Sequence, residues 1–253
     1  SAITHNTYKL FRANKEVGEL YENALNIYTD MTDIENDLTT AFRRTKYFLP
    51  HLPTPRVYCH VSGLNQSLIV GEEFISLSID NYLGSNFPLY EKIGIYKYQR
   101  PNMRREKVAP DYITAWISSE ISSSLADNLL SDMIRHGKIL YTVSVLMPDT
   151  KERVIMGYSE EQWDWVKKNE ANMWNTLIAS KDLYTTSMMI KNQYVGEGPF
   201  TKPFTQESPG RAGAWLGWQI VESYMHNNPQ ISIQQLLQQP DAQTILNNSN
   251  YRP

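Results

Sequence analysis

The sequence predicts an α+β fold: a small mixed or antiparallel sheet followed by a predominantly helical C-terminal part. Apolar residues recur at helical spacing from Val17 to Leu49, alternate over residues 55–80, and return to helical spacing from residue 110 onward. The chain has 253 residues, 41% of them apolar and 20% charged, enough for a core that needs no disulfide. Six Trp, 16 Tyr and seven Phe must also be buried somewhere, which excludes intrinsic disorder. Residues 15–253 are expected to form a single domain, preceded by a polar, aperiodic lead-in over residues 1–14.

Taken in order, Val17, Leu20, Tyr21, Ala24, Leu25 and Tyr28 share one helical face. Thr32 stands three residues before Glu35, a capping box, and Ile34, Leu38, Ala41, Phe42, Phe48 and Leu49 follow as a second stripe. Pro50, Pro53 and Pro55 end it. Val57 to Val61 alternates, Ser62 to Gln66 has turn chemistry, and Leu68–Val70 and Phe74–Ile79 make two more strands across residues 71–73. Residues 81–105, rich in Tyr, Pro and Gly, predict a structured loop.

The rest is helical. Helices are expected over 111–121 and 127–147, the second closed by Pro148. Ser159 with Gln162 caps a third, whose stripe is Trp163, Val166, Met173, Trp174, Leu177 and Ile178. A loop is expected over 188–207, then a helix with Ser208 as N-cap and Pro209 at its first position, running to about His226. Ser232 with Gln235 and then Asp241 start two short helices.

Composition and motifs exclude several functions. With 24 Lys+Arg against 27 Asp+Glu, net charge −3, the chain lacks the basic excess that phosphate binding needs, so no nucleic acid is expected. No run approaches the ~20 apolar residues that span a bilayer. The single cysteine, Cys59, excludes an internal disulfide and any Cys-rich zinc module. No two of the five histidines stand within five residues of each other, so no helix offers an H-x-x-x-H pair to a metal. Phosphate-binding glycine loops and a nucleophile elbow are missing too. The chain opens Ser1-Ala2-Ile3-Thr4, without Met or a signal pattern, as expected of a chain trimmed of its leader.

The most distinctive stretch runs from Ser208 to Val221. Gly210, Gly213 and Gly217 form one bare stripe at i, i+3, i+7, each costing about 1 kcal/mol relative to Ala in a helix, so another backbone is expected close by. Arg211, in the expected first turn, opposes the helix dipole and calls for a specific carboxylate partner.

Three stretches resemble the gliding-motility lipoprotein B family (GldB) of Bacteroidetes. They are Pro55-Arg56-Val57-Tyr58 through Ser62-Gly63 to Asp80-Asn81-Tyr82-Leu83-Gly84; Leu130 to Lys138 with Met147-Pro148-Asp149-Thr150; and Glu207 to Arg211 with Gly217 to Val221 and the ending Ser249 to Pro253. The resemblance covers the chain from about residue 20 to its end, and its C-terminal motif is the most specific. It implies a lipoprotein anchored to the outer membrane and facing the periplasm, its N-terminal signal and lipid-bearing cysteine removed here.

More distantly, the order of elements is similar to zinc peptidases of the zincin type, whose H-E-x-x-H helix sets two imidazoles and a base glutamate on one face. In that register Trp116 and Glu120 stand where the histidines would be, Ile117 replaces the glutamate, and His136 precedes Gly137 where a third ligand would sit. The resemblance therefore implies a zincin-like scaffold without catalytic residues, metal or cofactor, keeping a vestigial cleft of Trp116, Glu120, His136, Arg211 and Trp215.

The first expectation for function is a non-enzymatic envelope lipoprotein that binds an envelope protein partner and touches the membrane only through its lipid. The alternative is a divergent zinc metallopeptidase or hydrolase. A third possibility, a carbohydrate-binding accessory, has one plausible platform, the Tyr90–Tyr98 loop.

Overall fold

The computed structural model describes residues 14–65, 68–71 and 73–253. The expected lead-in lies outside these, save Asn14. The fold is mixed α and β, mainly helical, with one three-stranded sheet. The described residues divide into two compact units, one of residues 14–42 with 52–116 and one of residues 43–51 with 117–253.

In the first unit, α1 (Lys15–Ile27) is capped by the Asn14 side chain, which accepts from the N–H of Glu16 at 2.8 Å and of Val17 at 3.3 Å. Its buried stripe is narrower than the sequence suggests: Leu20 and Ala24 are buried, while Tyr21 and Leu25 are exposed. The second helix, α2 (Thr32–Phe48), already contains Thr32, so the expected Thr32–Glu35 capping box does not form. Asp30 replaces it, accepting from the Thr32 N–H at 2.9 Å and hydroxyl at 2.7 Å.

Strands β1 (Arg56–His60), β2 (Leu68–Val70) and β3 (Phe74–Ser78) pair in the order β1-β3-β2. β1 runs parallel to β3 and β2 antiparallel to it, so the sheet is mixed. Ile75 and Leu77 of β3 point into the core. Residues 81–105 hold a short helix, α3 (Pro88–Lys92), whose Tyr90 is fully buried and donates to Asp80 O at 2.6 Å. Next, α4 (Val108–Ser119) begins three residues earlier than expected and sends the Tyr112 hydroxyl between β1 and β3, where it donates to Tyr58 O and accepts from Leu77 N.

The second unit is helical. It contains α5 (Leu129–Leu146), α6 (Glu152–Met156), α7 (Glu160–Ser180), α8 (Met188–Val195), α9 (Ala212–Asn227), α10 (Ile233–Gln238) and α11 (Ala242–Ser249). The Ser159–Gln162 and Ser232–Gln235 capping boxes and the Asp241 cap all form. α5 and α9 pack as the central pair, with Leu216, Ile220 and Val221 wholly buried.

Four expectations in this unit are corrected. α8 occupies part of the expected loop at 188–207. Ser208 does not cap α9: its hydroxyl donates to Thr205 O at 2.6 Å and its Oγ accepts from Thr201 N–H at 3.1 Å. Thr201 in turn donates to Pro209 O and accepts from Ala212 N–H, closing a loop that holds residues 208–211 out of the helix. Arg211 becomes the N-cap in the left-handed region, φ 61°. Of the glycine stripe, Gly213 and Gly217 are helical and Gly210 lies in the preceding turn. Gly213 lies against the Tyr194 carbonyl and Gly217 against that of Met133, while Gly137 meets the Gly217 carbonyl.

Candidate functional site

The five residues expected to line a vestigial cleft start from different elements. In the first unit Trp116 is 6% exposed and packs edge-on against Phe42, ring centres 5.3 Å apart. The other four belong to the second unit. Glu120 lies just past α4, its N–H donating to Ile117 O at 3.0 Å and its carboxylate accepting from the Ser119 hydroxyl at 3.3 Å. These bonds tie it to its own helix end. His136 sits on α5 beside Gly137, at the crossing with α9.

Arg211 and Trp215 share the first turns of α9, where Trp215 N–H donates to Arg211 O at 3.2 Å. The carboxylate expected for Arg211 exists: Glu197 Oε1 is 3.2 Å from its guanidinium. Tyr158 donates to Gly210 O at 2.7 Å and braces the same turn. Trp215 is 1% exposed and stands edge-on to Trp163, its indole N–H buried without a partner.

His136 and Arg211 are thus electrostatic neighbours. Burial pushes the His136 imidazole down to about 4, and the Arg211 and Arg135 guanidiniums push in the same direction. Such a ring is neutral at pH 7, with the positive charge of both arginines acting on it. Those cations repel a divalent ion as they repel a proton. Among the described residues no three His, Cys, Asp or Glu side chains are grouped as a metal would require. The residues of this region do not fit a zinc centre.

The shift has a consequence for stability. The folded-state pKa lies below the 6.5 of a free imidazole, so the unfolded chain takes the proton first. The contribution is full above pH 6.5 and falls away as the pH drops towards 4. At pH 4.5 the loss due to His136 is expected to be about 2 kcal/mol, and His136→Gln should remove that part of the acid slope. Urea midpoints at pH 7 and 4.5 read it; an unchanged slope in the variant would place the acid sensitivity elsewhere.

A second polar cluster, in the first unit, was not legible in the sequence. Asp80 is fully buried and accepts from the Ser78 hydroxyl, from Ser62 N–H at 3.3 Å and from Leu64 N–H at 2.9 Å. Ser78 Oγ also lies 2.7 Å from Ser62 Oγ. Gly63 and Leu64 are both left-handed, φ 71° and 62°, a conformation that costs a leucine energy. The carboxylate holds this turn across the end of the sheet. Beside it, His60 Nδ1 is 2.8 Å from Ser76 Oγ, while Nε2 is buried and unpartnered. The available signal was a polar Asp80 directly after an apolar strand, opening the run to Gly84.

The second unit also has a hollow of about 440 Å³ between α7, α9 and the last residues, lined by Glu170, Glu222, His226 and Tyr251 among others. Burial, then Glu152 and Glu170, push the Glu222 carboxyl up. Tyr251 donates to Glu170 at 2.7 Å.

Compared with known proteins, residues 2–253 match the profile of one family, described as gliding motility protein GldB. No curated protein matches the chain, and no solved structure does.

Proposed function

The chain belongs to the gliding motility protein GldB family, and from that premise we propose that it is a lipid-anchored envelope protein that binds a partner and does not catalyse. Residues 15–253 are its folded domain, held at the periplasmic face of the outer membrane by a lipid upstream of it. The scaffold is read as zincin-like, its metal motif replaced at Trp116, Ile117 and Glu120.

One observation carries the non-catalytic reading. His136, the imidazole in the third-ligand position, is buried with the positive charges of Arg211 and Arg135 acting on it, and among the described residues no three His, Cys, Asp or Glu side chains are grouped as a metal would require. Ile117, in the position of a general base, is wholly buried and has no proton acceptor. A zinc hydrolase polarises a water with its metal and draws off the proton with a base, and the helix positions that would supply two ligands and that base hold Trp116, Glu120 and Ile117.

The alternative, a divergent metallopeptidase, is separated by an activity measurement. Incubated with an unstructured protein such as casein, the purified chain is expected to leave it intact with or without added zinc. Cleavage abolished by EDTA would overturn the proposal.

A further inference from the structure

We propose that the loop over residues 91–100 is a sugar-binding platform, on which the outer face of Tyr96 stacks against the C–H face of a pyranose ring. This deepens the binding reading above, and rests on it, by naming one chemical class of ligand: a neutral glycan.

The ring geometry comes first. Tyr96 and Tyr98 stack nearly parallel, 13° between planes and 5.5 Å between centres. The other described ring pairs cross at 57° or more. A parallel pair leaves one flat face outward, and Tyr96 is 66% exposed. Tyr90, at the start of the platform expected from the sequence, is wholly buried and serves as its support.

That support is fixed before any ligand arrives. Tyr90 bonds Asp80 O at 2.6 Å and Leu83 N–H at 2.9 Å through its hydroxyl, and its carbonyl accepts from Ile95 N–H at 2.8 Å. Tyr96 O accepts from Gln99 N–H at 3.0 Å, and Arg100 pairs with Glu91 at 3.3 Å. A loop tied at both ends loses little entropy on binding.

The surroundings select the ligand. Glu91, Lys92 and Lys97 of the same loop are exposed, Lys92 pairing with Glu16 at 3.6 Å and Glu91 with Arg100, and besides Tyr96 the large exposed apolar side chain of this loop is Ile93. A protein partner would want a broader apolar centre than one ring and one isoleucine. Charges of both signs at the rim suit hydroxyl groups, each of which donates once and accepts twice. Tyrosine offers the matching pattern, a rigid apolar face with a polar edge.

The test titrates the full chain with cellotetraose, maltotetraose and chitotetraose to ~10 mM, the weak range expected of one stacking ring, following amide shifts by NMR. At least one is expected to shift residues 91–100. Tyr96→Ala should weaken binding about tenfold or more, and Tyr96→Phe, which keeps the face and loses only the hydroxyl, should retain it. No shift from any of the three, or shifts that survive Tyr96→Ala, would overturn the platform. So would loss of a protein contact in Tyr96→Ala without any sugar binding, which makes the loop a protein surface. Failure here leaves the non-catalytic reading standing, because that one is decided by casein cleavage.

Discussion

Gly217→Ala is expected to lower stability by about 3 kcal/mol or more, a fall of roughly 10 °C in the thermal midpoint for a chain of this size. The added methyl would fall inside the van der Waals surface of the Met133 carbonyl of α5, a backbone atom that no rotamer change can move. The reciprocal contact, Gly137 against the Gly217 carbonyl, fixes the same crossing from the other side. Gly18→Ala in α1 is the control: nothing lies within 4 Å of its added methyl, and helix propensity favours alanine by about 1 kcal/mol. A Gly217→Ala midpoint within two degrees of the parent would mean that α5 and α9 are not in backbone contact.

The second large effect is expected at Asp80. Asp80→Ala removes the acceptor of two backbone N–H groups and of the Ser78 hydroxyl, in a position closed to water. Stranding buried donors costs about 1–3 kcal/mol per group, and part is recovered as the turn relaxes, so a loss of about 3 kcal/mol is expected in urea unfolding. Asp80→Asn, which keeps one acceptor oxygen, should lose less. Hydrogen exchange at Ser62 and Leu64 should accelerate in both. Parent-like unfolding of Asp80→Ala would show that the left-handed turn holds by itself.

The parts of the fold legible in the sequence are those set by short-range chemistry. The Ser159–Gln162 and Ser232–Gln235 boxes need only four consecutive residues and both form. The alternation of residues 55–80 marks the strands, but the parallel pairing of β1 with β3 depends on which edge β2 takes, and no local pattern encodes that. A bond from outside the local window explains the failure at Ser208. Ser208 has the residue type of an N-cap, yet Thr201, seven positions away, engages its side chain. α8 carries no clear apolar stripe, with Met188 and Met189 exposed at its start, so it resembled loop.

The candidate site was legible in the same partial way. Arg211 announced a carboxylate partner through its clash with a helix dipole, and Glu197 is that partner, although Arg211 caps the helix instead of lying in its first turn. His136 could be placed before Gly137, but its two guanidinium neighbours could not: Arg211 reaches it from 75 positions away. The Asp80 cluster stayed hidden because Ser62 and Ser78 meet only once the sheet has formed.

The central claim is that this member of its family holds no resident catalytic cation near His136. The most direct measurement is the metal content of the purified full-length protein after dialysis against zinc-containing buffer. The account predicts far less than one equivalent of any transition metal, unchanged by Glu120→Ala or His136→Ala. One tightly held equivalent, lost in either variant, would contradict it.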